Sequence, residues 1–130
     1  MHDLRDTRAA FAAAAELGVP LTVMSAPGAA ASLGVGYFAA MIGAARQEFP
    51  TVAATAVLDC GAAPGLALAA LRLGIDAVRV EAPARVWAKL ADIARQLGGA
   101  LIAGRMAALD LAGAREPQAA CRAWLAKAKR

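Results

Sequence analysis

Residues Val57 to Gly65 read Val-Leu-Asp-Cys-Gly-Ala-Ala-Pro-Gly. A carboxylate and a thiol stand side by side where an apolar run opens into a loop. Asp59 has the chemistry of a general acid or base, and Cys60 that of a nucleophile or a metal ligand. Each role demands neighbours. A zinc site needs three or four converging Cys, His or carboxylate groups, and no cluster with ligand spacing occurs here. The one histidine is His2, so a Cys-His pair has no base near Cys60. No metal and no cofactor are therefore expected. As a reactive thiol, Cys60 in a loop ahead of a helix would have a lowered pKa. In the structural alternative, Cys60 is a small buried apolar residue and Asp59 caps a loop.

A second candidate is the small-residue stretch Ser25 to Gly36. Backbone amides of such a loop, at the start of a helix, can hold an anion. The stretch is neither GxGxxG nor a phosphate-binding GK[ST] loop. Its best support is position. Ser25, Gly28, Asp59, Gly61 and Glu81 each follow an apolar run that reads as a strand. The carboxyl ends of parallel strands are where ligands favour binding. A small phosphorylated or otherwise anionic metabolite is the expected ligand class, with Ser25, Gly28, Gly61 and Glu81 as binding residues and Asp59 and Cys60 as the chemical pair.

The elements that must position these residues alternate regularly. Helical spacing of Leu4, Phe11, Ala14 and Ala15 predicts a helix over Leu4 to Leu17, stopped by Gly18. Short apolar runs predict strands over Val19–Met24, Val52–Leu58, Ala77–Val80 and Ala100–Ala103. Helices are predicted over Tyr37–Glu48, Pro64–Leu73 and Ala84–Leu97, with Ser25–Gly36 as a loop. A helical turn is expected over Met106–Ala114 and a terminal helix over Glu116–Lys129. Helix and strand repeated four times predict an α/β fold: a small parallel sheet of four to five strands with flanking helices. Four strands cannot close an eight-stranded barrel, so the sheet is either a half-barrel or an open flavodoxin-like one.

Composition agrees with a packed domain. The chain has 130 residues, 60% of them hydrophobic and 18% charged, which favours one folded unit over disorder. The net charge of +4 comes from Arg122, Lys127, Lys129 and Arg130; the other ten of the 14 basic residues cancel the ten acids. Residues 1–120 therefore sum to zero, and an α/β body over residues 1–115 carries a basic C-terminal helix or tail over residues 116–130. Without a basic face on the body, nucleic-acid binding is not expected. That helix, with Trp124 and Leu125 among its cations, could serve assembly or regulation, or simply pack on the body with solvated lysines. Pro20, Pro27, Gly28, Gly34 and Gly36 break the uncharged stretch Leu17–Ala45, so no membrane span is expected. The first eight residues mix both charge signs, with no apolar segment and cleavage site after them. With Cys60 and Cys121 read as free thiols, this points to the cytoplasm.

Three stretches together carry a family likeness: Ala26–Pro50, with its aromatic-led helix ending Glu-Phe-Pro; Val52–Gly61, a strand ending Asp-Cys-Gly; and Pro64–Glu81, a helix and strand. In order and spacing they resemble the class II, metal-dependent fructose- and tagatose-bisphosphate aldolases, over roughly residues 3–105. The resemblance implies the first half of a barrel, with Asp59 matching the acid/base of the family's Asp-His-Gly motif. Cys60 stands where the family has a metal-binding histidine. The local sequence Ile102-Ala103-Gly104-Arg105 lacks the acid that the family has at the end of its fifth strand. The resemblance so altered implies a non-catalytic, aldolase-like domain that binds a small anion or a protein partner at the sheet's carboxyl edge. The alternative is a metal-dependent aldolase or lyase completed by dimerisation, with Asp59 as acid/base. Lys89, Lys127 and Lys129 do not fall at strand ends, which disfavours a Schiff-base route. A half-barrel leaves edges uncovered, so a homodimer is expected, with the Ala-rich helix Tyr37–Glu48 suited to the contact.

Overall fold

The structure, a computed structural model, describes residues 3–104, 108–111 and 114–129. It is an α/β fold built in the order α1 (Leu4–Leu17), β1 (Leu21–Met24), α2 (Ala29–Ser32), α3 (Val35–Glu48), β2 (Ala54–Asp59), α4 (Pro64–Arg72), β3 (Ala77–Arg79), α5 (Ala84–Leu97), β4 (Ala100–Ile102) and α6 (Pro117–Lys129). The four strands form one open, all-parallel sheet in the order β1-β2-β3-β4.

Sequential strand order has a consequence for the helices. Each connection moves one strand in the same direction, so successive helices fall side by side. Contacts run α6 to α1, α1 to α3, α3 to α4 and α4 to α5, which makes one continuous helical layer. The sheet stays open, and its sequential strand order differs from the flavodoxin-like one, which would divide the helices between two faces. Val23, Ala56, Leu58, Val78 and Val80 face that layer and belong to the main core. Val57 and Ala77, though buried, lie outside that core cluster. They share the opposite face with Thr22, Thr55 and Ala100, which are exposed.

The core is small-grained. Ala13, Ala14, Ala45, Ala67 and Ala70 are fully buried between the bulkier Phe11, Phe38 and Leu71. Alanine methyls let helices lie close to a sheet, and the packing is then sensitive to any added atom. The same closeness appears at Gly99, where a Cβ would come within 2.8 Å of the Leu71 Cδ2. The Asp3 carboxylate caps α1 by accepting from the Asp6 N–H at 2.9 Å, and Pro64 opens α4 at its first turn.

The expected elements sit close to the observed ones, with two differences. The loop Ser25–Gly36 contains the single helical turn α2. The turn expected over Met106–Ala114 is not helical at residues 108–111 and 114. Met106, like His2, Arg105 and Arg130, lies outside the described residues, and so do the side chains of Ala128 and Lys129. The C-terminal α6 is docked on α1: Cys121 is buried, Arg122 pairs with Glu16 at 3.2 Å, and Arg5 donates to the Arg115 carbonyl at 3.4 Å. Among the described residues no helix is long and apolar enough to cross a membrane.

Candidate functional site: an ion-pair clamp at the carboxyl edge of the sheet

Parallel register places Asp59, the last residue of β2, beside Arg79, the last residue of β3. Paired residues of neighbouring strands project to the same face, so the two side chains meet. Arg79 Nη1 donates to Asp59 Oδ2 at 3.1 Å, with the two side chains 12% and 5% exposed. The other carboxylate oxygen, Oδ1, accepts two backbone amides: Gly61 N–H at 2.9 Å and Gly28 N–H at 3.1 Å. A single buried carboxylate thus ties together the loop after β1, the loop after β2 and the end of β3. Gly28 reaches it from a left-handed conformation, φ +68°, that L side chains rarely adopt.

Ser25 extends the arrangement by one rung. Its N–H donates to the Val57 carbonyl at 3.0 Å, and its Oγ accepts the Asp59 N–H at 2.9 Å. The serine oxygen stands where the next strand carbonyl would be. On the other side, Cys60 N–H donates to the Arg79 carbonyl and Glu81 N–H to the Gly61 carbonyl, both at 2.7 Å. The ladder therefore continues past the formal strand ends.

Arg79 is the residue that sequence reading missed. Three hydrogen bonds fan out from its guanidinium: Nη1 to Asp59, Nε to the Gly104 carbonyl at 2.5 Å, and Nη2 to Glu81 Oε1 at 2.9 Å. The Glu81 hydrogen bond, foremost, and the Asp59 charge hold the guanidinium above its ordinary pKa, against burial, which pulls it down. The signal was present in the sequence: one arginine in an apolar strand, two positions before an acid. It reads as a solvated side chain until register sets it beside Asp59.

All the predicted site residues come to this one edge, but in unequal states. Asp59 is 3% exposed and has donors on both oxygens. The Gly28 and Gly61 amides, expected to face a ligand, are engaged by that internal carboxylate. Ser25 is buried in the ladder, whereas the Glu81 side chain is 67% exposed. Cys60 corrects an expectation. A loop before a helix should lower a thiol pKa, yet burial, with the Asp59 charge added, pushes the thiol up to about 11. Helix α4 does begin four residues on, but Cys60 points into the core at 3% exposure. Its thiol donates to the Leu58 carbonyl, the sulfur lying 3.8 Å from that oxygen. At neutral pH it is a neutral, packed side chain and not a nucleophile.

Both cysteines are free thiols and buried. Among the described residues no group of three or more His, Cys, Asp or Glu is arranged to hold a metal ion. A comparison with known protein families and one with curated proteins find no match for this chain.

Proposed function

We propose that this chain is a non-catalytic, aldolase-like half-barrel domain that binds a small anionic metabolite at the carboxyl edge of its sheet, with Arg79 as the reading residue. One observation carries the proposal: Arg79 is fixed from within by Asp59 and the Gly104 carbonyl, while its outward bond goes to the exposed Glu81. The inner bonds set the direction of the guanidinium at no further entropic cost to a ligand. The outer one joins this guanidinium to a carboxylate that is 67% exposed and can turn to water, so a ligand carboxylate or phosphate can take its place. Arginine presents a planar fork of donors suited to either group.

The same geometry weighs against the enzyme reading. For Asp59 to take a proton, it would have to give up the charge that holds Arg79 and two loop amides. A base in continuous use needs an open face toward substrate, and Asp59 has none. Titration of the protein with inorganic phosphate and with acetate, followed by amide chemical shifts, tests the proposal. Saturable shifts at Gly61, Arg79 and Gly104, lost in Arg79→Met, are expected. Absence of saturation in the unaltered protein overturns it. Carbon–carbon cleavage of a sugar phosphate that disappears in Asp59→Asn would restore the enzyme reading.

Self-association is a second reading, favoured by the β4–α5 edge. There α5 fully buries only Leu90 and Ala94 of its apolar stripe, leaving Val86, Trp87 and Ile93 half-covered and Leu97 48% exposed. Helix α3, whose alanines suit a close helix contact, is flanked on both sides by α1 and α4. A homodimer through the β4–α5 edge is expected as twice the chain mass in solution at micromolar concentration; monomer alone overturns it.

A further inference from the structure

We infer that the ligand of the carboxyl edge is a zwitterion, with a carboxylate or phosphate for Arg79 and an adjacent cationic nitrogen for Glu81. The inference rests on the binding role given to Arg79 above and narrows it. Its basis is the charge of the cluster. Asp59 and Glu81 each contribute one negative charge and Arg79 one positive charge. The Cys60 thiol beside them is neutral at physiological pH. Among the described residues that touch one another at this edge, the sum is one negative charge.

A simple anion meets this cluster at a disadvantage. It must expel Glu81 from Arg79 Nη2, and the freed carboxylate is left without its cation, near the like charge of the anion that displaced it. A zwitterion that parts the same two side chains meets no such cost. Its anion takes the guanidinium, its cation takes the released Glu81 carboxylate, and one ion pair becomes two without changing the net charge. The protein is built for that exchange. Arg79 cannot follow Glu81 outward, because Asp59 Oδ2 and the Gly104 carbonyl hold it at 3.1 and 2.5 Å. Glu81, with its side chain 67% exposed, is free to swing. A fixed cation and a movable anion, 2.9 Å apart, form an adjustable pair for a ligand of matching polarity, such as an α-amino acid or an aminoalkyl phosphate.

The test is a set of titrations on the full chain at low salt, with glycine, acetate and methylammonium as probes and amide shifts as the readout. Glycine is expected to saturate at a concentration about tenfold lower than acetate, the factor that one added charge-assisted hydrogen bond supplies. Methylammonium should bind more weakly than glycine. In Glu81→Gln the preference should vanish or reverse, because acetate no longer has a competitor and glycine has lost its second partner. Position 81 is exposed, so this variant is expected to fold. Acetate binding as tightly as glycine to the unaltered protein overturns the zwitterion while leaving the anion reading intact. Saturation by none of the three overturns both.

Discussion

The two ends of the sheet carry the same chemical device in different surroundings. At the carboxyl end Asp59 accepts backbone amides and the Arg79 guanidinium. At the amino end Asp76 Oδ2 accepts the Ala56 N–H at 2.8 Å and Arg46 Nη2 at 2.5 Å, and Arg46 also donates to the Ala54 carbonyl at 2.9 Å. Each carboxylate accepts from the backbone and each is neutralised by an arginine from another element. The difference is water. The Asp59 and Arg79 side chains are 5% and 12% exposed, against 35% for Asp76 and 40% for Arg46. The amino-end pair also borders a shallow cavity of about 90 Å³ between α3 and α4, lined by Ile42, Gly43, Leu73 and Ile75. A device that costs little at a wet end becomes, at a dry end, an obligation that every surrounding group must meet.

That contrast can be broken most sharply at Asp59. Asp59→Ala leaves a buried guanidinium and two loop amides without their acceptor. It should destabilise by about 3–5 kcal/mol, as loss of one partner of a buried pair does. Urea unfolding measures it, and a loss near that of an exposed pair would erase the distinction between the two ends.

Alkaline titration sharpens the same contrast from the thiol beside Asp59. The Cys60 pKa is raised on folding from 9.0 to about 11. The unfolded chain therefore releases this proton first. Its contribution to stability is complete below pH 9 and is lost as pH climbs through 11. The expected loss approaches about 2 kcal/mol relative to Cys60→Ala, whose stability should be flatter over that window. Parallel curves for the two proteins would show that the site is wetter than its burial suggests.

At the amino end the expected effects are smaller. Asp76→Ala removes one ladder bond and a half-exposed ion pair, and should cost about 1–2 kcal/mol. Smallest of all is the salt response. Raising ionic strength to about 1 M, where screening acts within about 3 Å, should reduce the Arg46–Asp76 coupling in a double-mutant cycle by a few tenths of a kcal/mol and leave Asp59–Arg79 nearly unchanged. Equal screening at both ends would make the two clamps equivalent.

Much of the frame was legible because local rules govern it. Helices α1 and α5 begin and end where Asp3, Gly18, Pro83 and Gly98 dictate, and the strands follow from short apolar runs between turn residues. Helix α2 was not legible, since Ala29–Ser32 is a single turn of small residues with no periodicity to read. The gathering of Ser25, Gly28, Asp59, Gly61 and Glu81 at one edge follows from parallel order alone. What each residue does there does not. Sequence adjacency shows that Cys60 precedes a helix but not that its sulfur turns into the core. Arg79 becomes legible only when register is known, because its partner lies 20 positions earlier in the chain.

Helix α6 gives the molecule a seam. The β-α units between Leu21 and Ile102 are each joined to the next by short stretches, so they can be assembled one after another as neighbours meet. The α1–α6 contact is of another kind: Arg5 and Arg115 are 110 positions apart, and the loop they close is nearly the whole fold. Closing it costs chain entropy that the sheet must first have reduced. A joint of that span is expected to form late, and the part of α1 that α6 covers, unlike the part packed on α3 and β1, is expected to stay bare until it does.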